Sequence, residues 1–262
     1  MNSLFAFYIF VIGLFIGSFL NVLIDRIPKR NLFRKKRSYC DSCKKTLKWY
    51  DLIPVFSFIF LQGKCRYCRF PISLYYPIVE LITASLFVLT FNFISSGGIM
   101  NQELRIMDAI GLVYYLFIIS SFIVVFFTDL KYGIIPDKVL LAAISLSIFY
   151  LFFIHNSLFM IHLLSGVGAF LLFLLLHLIT RGKGMGFGDV KLVFLIGLFL
   201  GILNAILALY LAFLTGAVVG LILILWGKRK FFGGKIPFGP FLVLGTFISL
   251  FLGEKIIKVL LW

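Results

Sequence analysis

The sequence predicts an all-α polytopic membrane protein of about eight transmembrane helices, with a small cytoplasmic metal-binding domain between helices 1 and 2. Three observations predict it. Hydrophobic residues make up 62% of the 262 residues and the mean hydropathy is +1.11, where a soluble domain is about 45–50% apolar. The apolar runs reach the roughly 20 residues that a spanning helix needs, and no ten-residue alternation of the barrel kind is visible. All four cysteines fall in the one sizeable polar region, residues 26–73.

In chain order the spans are expected at about 4–24, 74–95, 106–128, 138–154, 158–179, 190–203, 205–226 and 237–253. The sixth is short, and its border with the seventh falls near Asn204. The first span has no basic segment before it and no small-residue cleavage site, so a retained helix is expected. Residues 1–25 then form the first transmembrane helix, 26–73 the tetracysteine domain and 74–262 the transmembrane body.

Charge orients the chain. With the first span running outside to inside, every Lys and Arg except Arg105, Lys255 and Lys258 lies in an inner segment or at its immediate helix end. The positive-inside rule therefore predicts an external N-terminus, with residues 26–73, 129–137, 180–189 and 227–236 inside. The formal net charge of +15 is concentrated in these loops. It reads as topology and contact with a lipid bilayer carrying anionic headgroups rather than as nucleic-acid binding.

The polar region opens with the basic runs Arg26 to Arg30 and Arg34 to Arg37. Its middle, Trp49 to Leu61, turns apolar over a stretch too short to span, which fits an interfacial or re-entrant segment. On either side stand Cys40-x-x-Cys43 and Cys65-x-x-Cys68. Two such knuckles supply four thiolates in tetrahedral reach, the pattern of a structural zinc site with no open position. Lys44, Lys45, Lys64, Arg66 and Arg69 are expected to lower the thiol pKa values and to offset the charge of the centre. The inferred cytoplasmic side argues against stable disulfides.

Asp129 and Asp189 are the carboxylates best placed for chemistry. Each stands where a long apolar run meets a short loop, Asp129 at 129–137 and Asp189 after the glycine-rich segment Gly184 to Asp189. A carboxylate at membrane depth is costly and marks a functional site by default. Capping competes as a reading for Asp137 and Asp189, which open helices. Asp129 is harder to explain structurally, because it ends a helix, where the macrodipole disfavours an anion. Two such groups in proximity would share one proton, one acting as base toward water and the other as acid toward a carbonyl oxygen. Lys191 is expected to tune or pair Asp189, and Glu80 to pair with an inner-side Lys or Arg. His155, His162 and His177 read as packed polar residues, and Gly13, Gly17 and Ser18 as a helix-packing face.

Five ordered motifs carry a resemblance over nearly the whole chain. They are Gly17 to Pro28 (GSFLNVLIDRIP); the cysteine-domain stretches Asp51 to Ser57, Gly63 to Cys68 and Pro71 to Glu80; Asp129 with Ile135-Pro-Asp137; Gly184 to Lys191 (GMGFGDVK); and Ile236 to Pro240 (IPFGP). Together the chain resembles the type IV prepilin peptidases, bifunctional leader peptidases and N-methyltransferases with a GxGD-type aspartic protease motif. The resemblance implies that Asp129 and Asp189 are the catalytic dyad. It implies prepilin or pseudopilin substrates of pili, type II secretion or DNA uptake, cleaved at the cytoplasmic membrane edge of a bacterial inner membrane. It also implies methylation of the new N-terminus by S-adenosylmethionine, with Gly63 and Glu80 as candidates by motif position and Cys40, Cys43, Cys65 and Cys68 as zinc ligands. A peptidase without methyltransferase activity is the nearest alternative. A proton-coupled transporter would place its acidic groups at mid-span, and a zinc-domain scaffold would make both aspartates dispensable.

Overall fold

The structure, a computed structural model, describes residues 2–28, 38–40, 42–96, 106–182, 184–225 and 237–260. The basic run Arg34 to Arg37, Asp41, Lys183 and the basic residues of 227–236 lie outside the described residues. Among the described residues the secondary structure is helical, with two isolated β-bridges and no strand. The helices are α1 (Asn2–Arg26), α2 (Phe56–Phe60), α3 (Tyr75–Ser96), α4 (Ile106–Tyr132), α5 (Asp137–Phe153), α6 (Asn156–Ile179), α7 (Phe187–Leu200), α8 (Ile202–Leu225) and α9 (Gly239–Leu260), with a 3-10 turn at Trp49–Leu52. Apart from the five-residue α2, each corresponds to one expected span. Six of them (α1, α3, α4, α6, α8 and α9) are long and apolar enough to cross a membrane.

The chain divides into two compact units, Met1–Val124 and Val125–Trp262. In the first, α1 and α3 pack antiparallel with small residues at the seam. A Cβ on Gly13 would come within 2.6 Å of the Ala84 Cα, and one on Gly17 within 2.7 Å of the Glu80 Cα. Four residues further along α1, Asn21 donates through Nδ2 to the Tyr76 carbonyl at 3.1 Å. Each step of four along α1 thus meets a step of four back along α3, the close backbone approach that small residues allow between membrane helices.

In the second unit α7 is the central element, packed by α5, α6, α8 and α9. Ten of its 14 residues are buried. At about 1.5 Å per residue it is only about 21 Å long. Neighbouring helices, not lipid, satisfy its surface, so its length need not match the hydrocarbon thickness. Its end corrects the expected border near Asn204: Gly201, at φ +74°, breaks the chain into an extended step between α7 and α8. Two other expected ends shift as well. Helix α4 continues through Tyr132, so Asp129 occupies its last turn rather than the loop, and Asp189 is the third residue of α7 rather than its predecessor.

Candidate active site and metal centre

Both loops that carry the aspartates belong to the second unit. After α4 the chain turns at Gly133 (φ +63°), whose N–H closes on the Asp129 carbonyl at 2.8 Å. The Asp129 side chain is 5% exposed, and its Oδ2 accepts the Gly239 N–H at 2.9 Å. Gly239 is the first residue of α9, so this is one of the free donors at a helix N-terminus, at the positive end of the dipole. A second helix thus offsets the unfavourable end of α4. No side chain fits at 239, because a Cβ there would lie 2.5 Å from Asp129 Oδ2.

Asp189 is 6% exposed. Its Oδ2 accepts the Gly186 N–H at 3.1 Å, half of a capping arrangement at the start of α7. Its Oδ1 is buried with no hydrogen-bond partner. Native interiors rarely leave such an acceptor unpaired, and one that persists calls for a functional account. Asp129 and Asp189 are thus both buried in the same unit, each held through one oxygen by a glycine N–H.

The loops are fastened by other residues. Lys191 Nζ pairs with Asp137 Oδ1 at 2.8 Å. This corrects the expectation that Lys191 serves Asp189, and its ammonium joins the start of α5 to the first turns of α7 instead. Asp137 makes no cap to α5, whose N-cap is Pro136. Gly188 lets Ile135 approach, since a Cβ at 188 would lie 3.0 Å from the Ile135 Cβ. His177 Nδ1 is 2.9 Å from the Met185 carbonyl and ties the glycine loop to α6. His162 lies 2.7 Å from the Leu198 carbonyl and His155 lies 3.1 Å from the Tyr150 hydroxyl, so all three histidines have packing partners.

The cysteine segment belongs to the first unit and is built from two copies of one turn. In the first copy Cys40 N–H donates to the Lys45 carbonyl, Lys44 N–H donates to the Cys40 carbonyl, Lys44 has φ +58°, and Tyr39 bridges Thr46. In the second, Cys65 N–H donates to Phe70, Arg69 N–H donates to Cys65, Arg69 has φ +58°, and Lys64 bridges Pro71. This local repeat is not legible from residue identities. It brings the four sulfurs within 4.8 Å of one another, with Cys40 and Cys68 Sγ 3.8 Å apart. Four thiolates about 2.3 Å from a tetrahedral metal would be about 3.8 Å apart, so the donor set fits such an ion. The Cys65 thiol is lowered to about 7, first by the Cys68 backbone N–H. The lowering comes from backbone and thiol donors rather than from the expected basic side chains; Lys45 lies over the Tyr67 ring, Arg66 over the Tyr50 ring, and Arg66 pairs with Asp51 at 2.6 Å. Asp51, its side chain 2% exposed, also accepts from Tyr67 and from the Lys48 backbone. It is a brace that residue type alone does not reveal.

Gly63 and Glu80 meet α2 from its two ends. Gly63, at φ +67°, donates to the Phe58 carbonyl and packs on the Phe58 ring. Glu80 Oε2 accepts the Val55 N–H at 2.8 Å, and the Ser18 hydroxyl bonds to the same carboxylate. These neutral donors take the place of the expected Lys or Arg partner.

The Bacterial Peptidase A24 N-terminal domain family matches residues 11–94, and the Type IV leader peptidase family matches residues 115–221. A prepilin leader peptidase/N-methyltransferase of Bacillus subtilis (strain 168) is 33% identical over 260 residues, covering 95% of each chain. One of Legionella pneumophila is 32% identical over 292 residues, covering 96% of this chain and 94% of its own, and one of Aeromonas hydrophila is 29% identical over 289 residues. No solved structure matches. The second family spans the helices that carry both aspartates, and the Bacillus relative aligns over 95% of the chain, so the protein belongs to the type IV leader peptidase family.

Proposed function

We propose that the protein removes the short basic leader from type IV prepilins or pseudopilins at the cytoplasmic edge of a bacterial inner membrane, and N-methylates the new N-terminal residue. The observation that supports this reading most is the buried, unpartnered Asp189 Oδ1, in the same unit as the buried Asp129. With one proton shared, the ionised carboxylate takes a proton from water as the water attacks the scissile carbonyl. The protonated one gives its proton to the carbonyl oxygen. Gly239 N–H keeps Asp129 Oδ2 in place through both steps. Glycines before Asp189 leave room for substrate backbone. A prepilin's apolar helix follows its cut site, which puts the scissile bond at the membrane edge where charge counting puts both aspartates.

For methyl transfer the cosubstrate is S-adenosylmethionine, which supplies an electrophilic methyl group. Gly63 and Glu80 remain the candidates in this chain. The tetracysteine segment holds a structural zinc ion, which organises a stretch too small to build its own core. The basic inner segments face anionic headgroups.

Mass spectrometry of a prepilin incubated with the purified protein in liposomes tests the reading. Cleavage with and without S-adenosylmethionine, and a one-methyl mass gain only with it, is expected. Cleavage with no gain would leave a peptidase alone, and an uncut prepilin would refute the whole reading.

A further inference from the structure

The apolar stretch between the two cysteine turns is folded but not covered. Trp49 is 78% exposed, Phe56 56%, Ile59 64% and Phe60 83%. Exposed Lys44, Lys45, Lys48, Lys64 and Arg69 flank them in the sequence. A five-residue helix with this composition cannot bury its own side chains, and a contiguous exposed apolar patch marks an interaction surface.

A hydrogen bond fixes the start of α2 at one height along α3. Val55 lies between the 3-10 turn and α2, as the N-cap of α2. Its N–H is held by Glu80, five residues into α3. At about 1.5 Å per residue that lies about 7–8 Å along the helix from Tyr75, where the candidate span begins. Glu80 is itself fixed, with Gly17 against its Cα and Ser18 on its carboxylate. Val55 holds φ +58°, an unfavourable conformation for a β-branched residue, and so depends on such an anchor. Interfacial helices bury their apolar face roughly 5–10 Å into the boundary between headgroups and acyl chains. The clamp therefore holds the start of α2 about that far along α3 from the beginning of the candidate span.

We propose that the exposed side chains of Trp49, Phe56, Ile59 and Phe60 dock onto the bilayer itself, their aromatic rings at the boundary and the flanking basic residues on anionic headgroups. Glu80 is the positioning residue that holds the start of α2 at its height along α3. The cysteine centre is then carried on a membrane-seated platform. This inference goes beyond the catalytic reading and does not depend on it.

Aromatic and basic residues together suit this occupant: Trp and Tyr favour the interface, and Lys or Arg near an anionic surface is attracted to it. A full-length protein with Trp226→Phe and Trp262→Phe keeps Trp49 as its one tryptophan. In anionic liposomes, lipids brominated near the headgroup end of the acyl chain should quench most of its emission. Lipids brominated near the chain end should quench less, and aqueous acrylamide should quench little. Glu80→Ala should reverse that order. Phe60→Ser, which alters an exposed residue, should weaken lipid quenching while the metal content stays unchanged. A Trp49 emission that is water-like, open to acrylamide and indifferent to brominated lipid would overturn the proposal. So would protection that arises only when a prepilin is added, since the patch would then take a protein. Because no readout here is cleavage, a failure of the catalytic reading would be distinguishable from a failure of this one.

Discussion

Glu80 and Asp189 are both buried carboxylates within two turns of a helix start, one in each unit, yet their oxygens are used differently. Glu80 receives the Val55 N–H and the Ser18 hydroxyl. Asp189 receives the Gly186 N–H on one oxygen, and its other oxygen receives nothing. The same contrast separates the two centres. Four thiols lie within 4.8 Å of one another, while Asp189 keeps one buried carboxylate oxygen without a partner. A satisfied buried group holds the fold together, whereas an unsatisfied one costs about 1–3 kcal/mol and calls for an account of its own.

The contrast can be broken at the open site first. Asp129→Asn or Asp189→Asn should lower the initial rate of prepilin cleavage by about a thousandfold or more, because each removes a proton-transfer partner. Elemental analysis of the same samples should find the metal content unchanged. Gly239→Ala should lower the rate by about 10–100-fold, since a misplacement of about 1 Å near reacting groups costs that much, and the added Cβ would displace Asp129 Oδ2.

At the closed site, Cys65→Ser should lose the metal and expose the segment between Cys40 and Ile72 to protease, because folding of so small a stretch is coupled to binding. Limited proteolysis with and without a chelator checks this. Retained resistance with no metal bound would show that the twin turns stand alone. Lys191→Met should have the smallest effect. Its pair with Asp137 is exposed, at 34% and 59% of the two side chains, so a loss of under about 1 kcal/mol that shrinks with added salt is expected in thermal melts.

Much of the fold was legible because lipid imposes simple demands on a sequence. Each expected span corresponds to a helix, and the paired Cys-x-x-Cys spacing pointed to the cluster that the fold assembles. What stayed hidden depends on backbone groups and distant partners. The Gly239 N–H reaches Asp129 across 110 positions in the chain, and the motif around Gly239 gives no hint of a donor. The role of Glu80 depends on Val55, a residue with no polar side chain. Lys191 was matched to its neighbour Asp189, whereas the helix start directs its ammonium to Asp137. The short length of α7 was legible, but its borders lie three residues earlier than expected, at Phe187 and Leu200, because Gly201 breaks the chain there.

In the mechanism proposed above Asp129 and Asp189 work as one unit, which a three-way comparison of variants separates from independent roles. Cleavage rates are measured for Asp129→Asn, Asp189→Asn and the double variant, with metal content as the check on folding. Because neither carboxylate can serve as acid and base alone, each single variant is expected to be as slow as the double. A single variant that still cleaves well above the double would contradict the account.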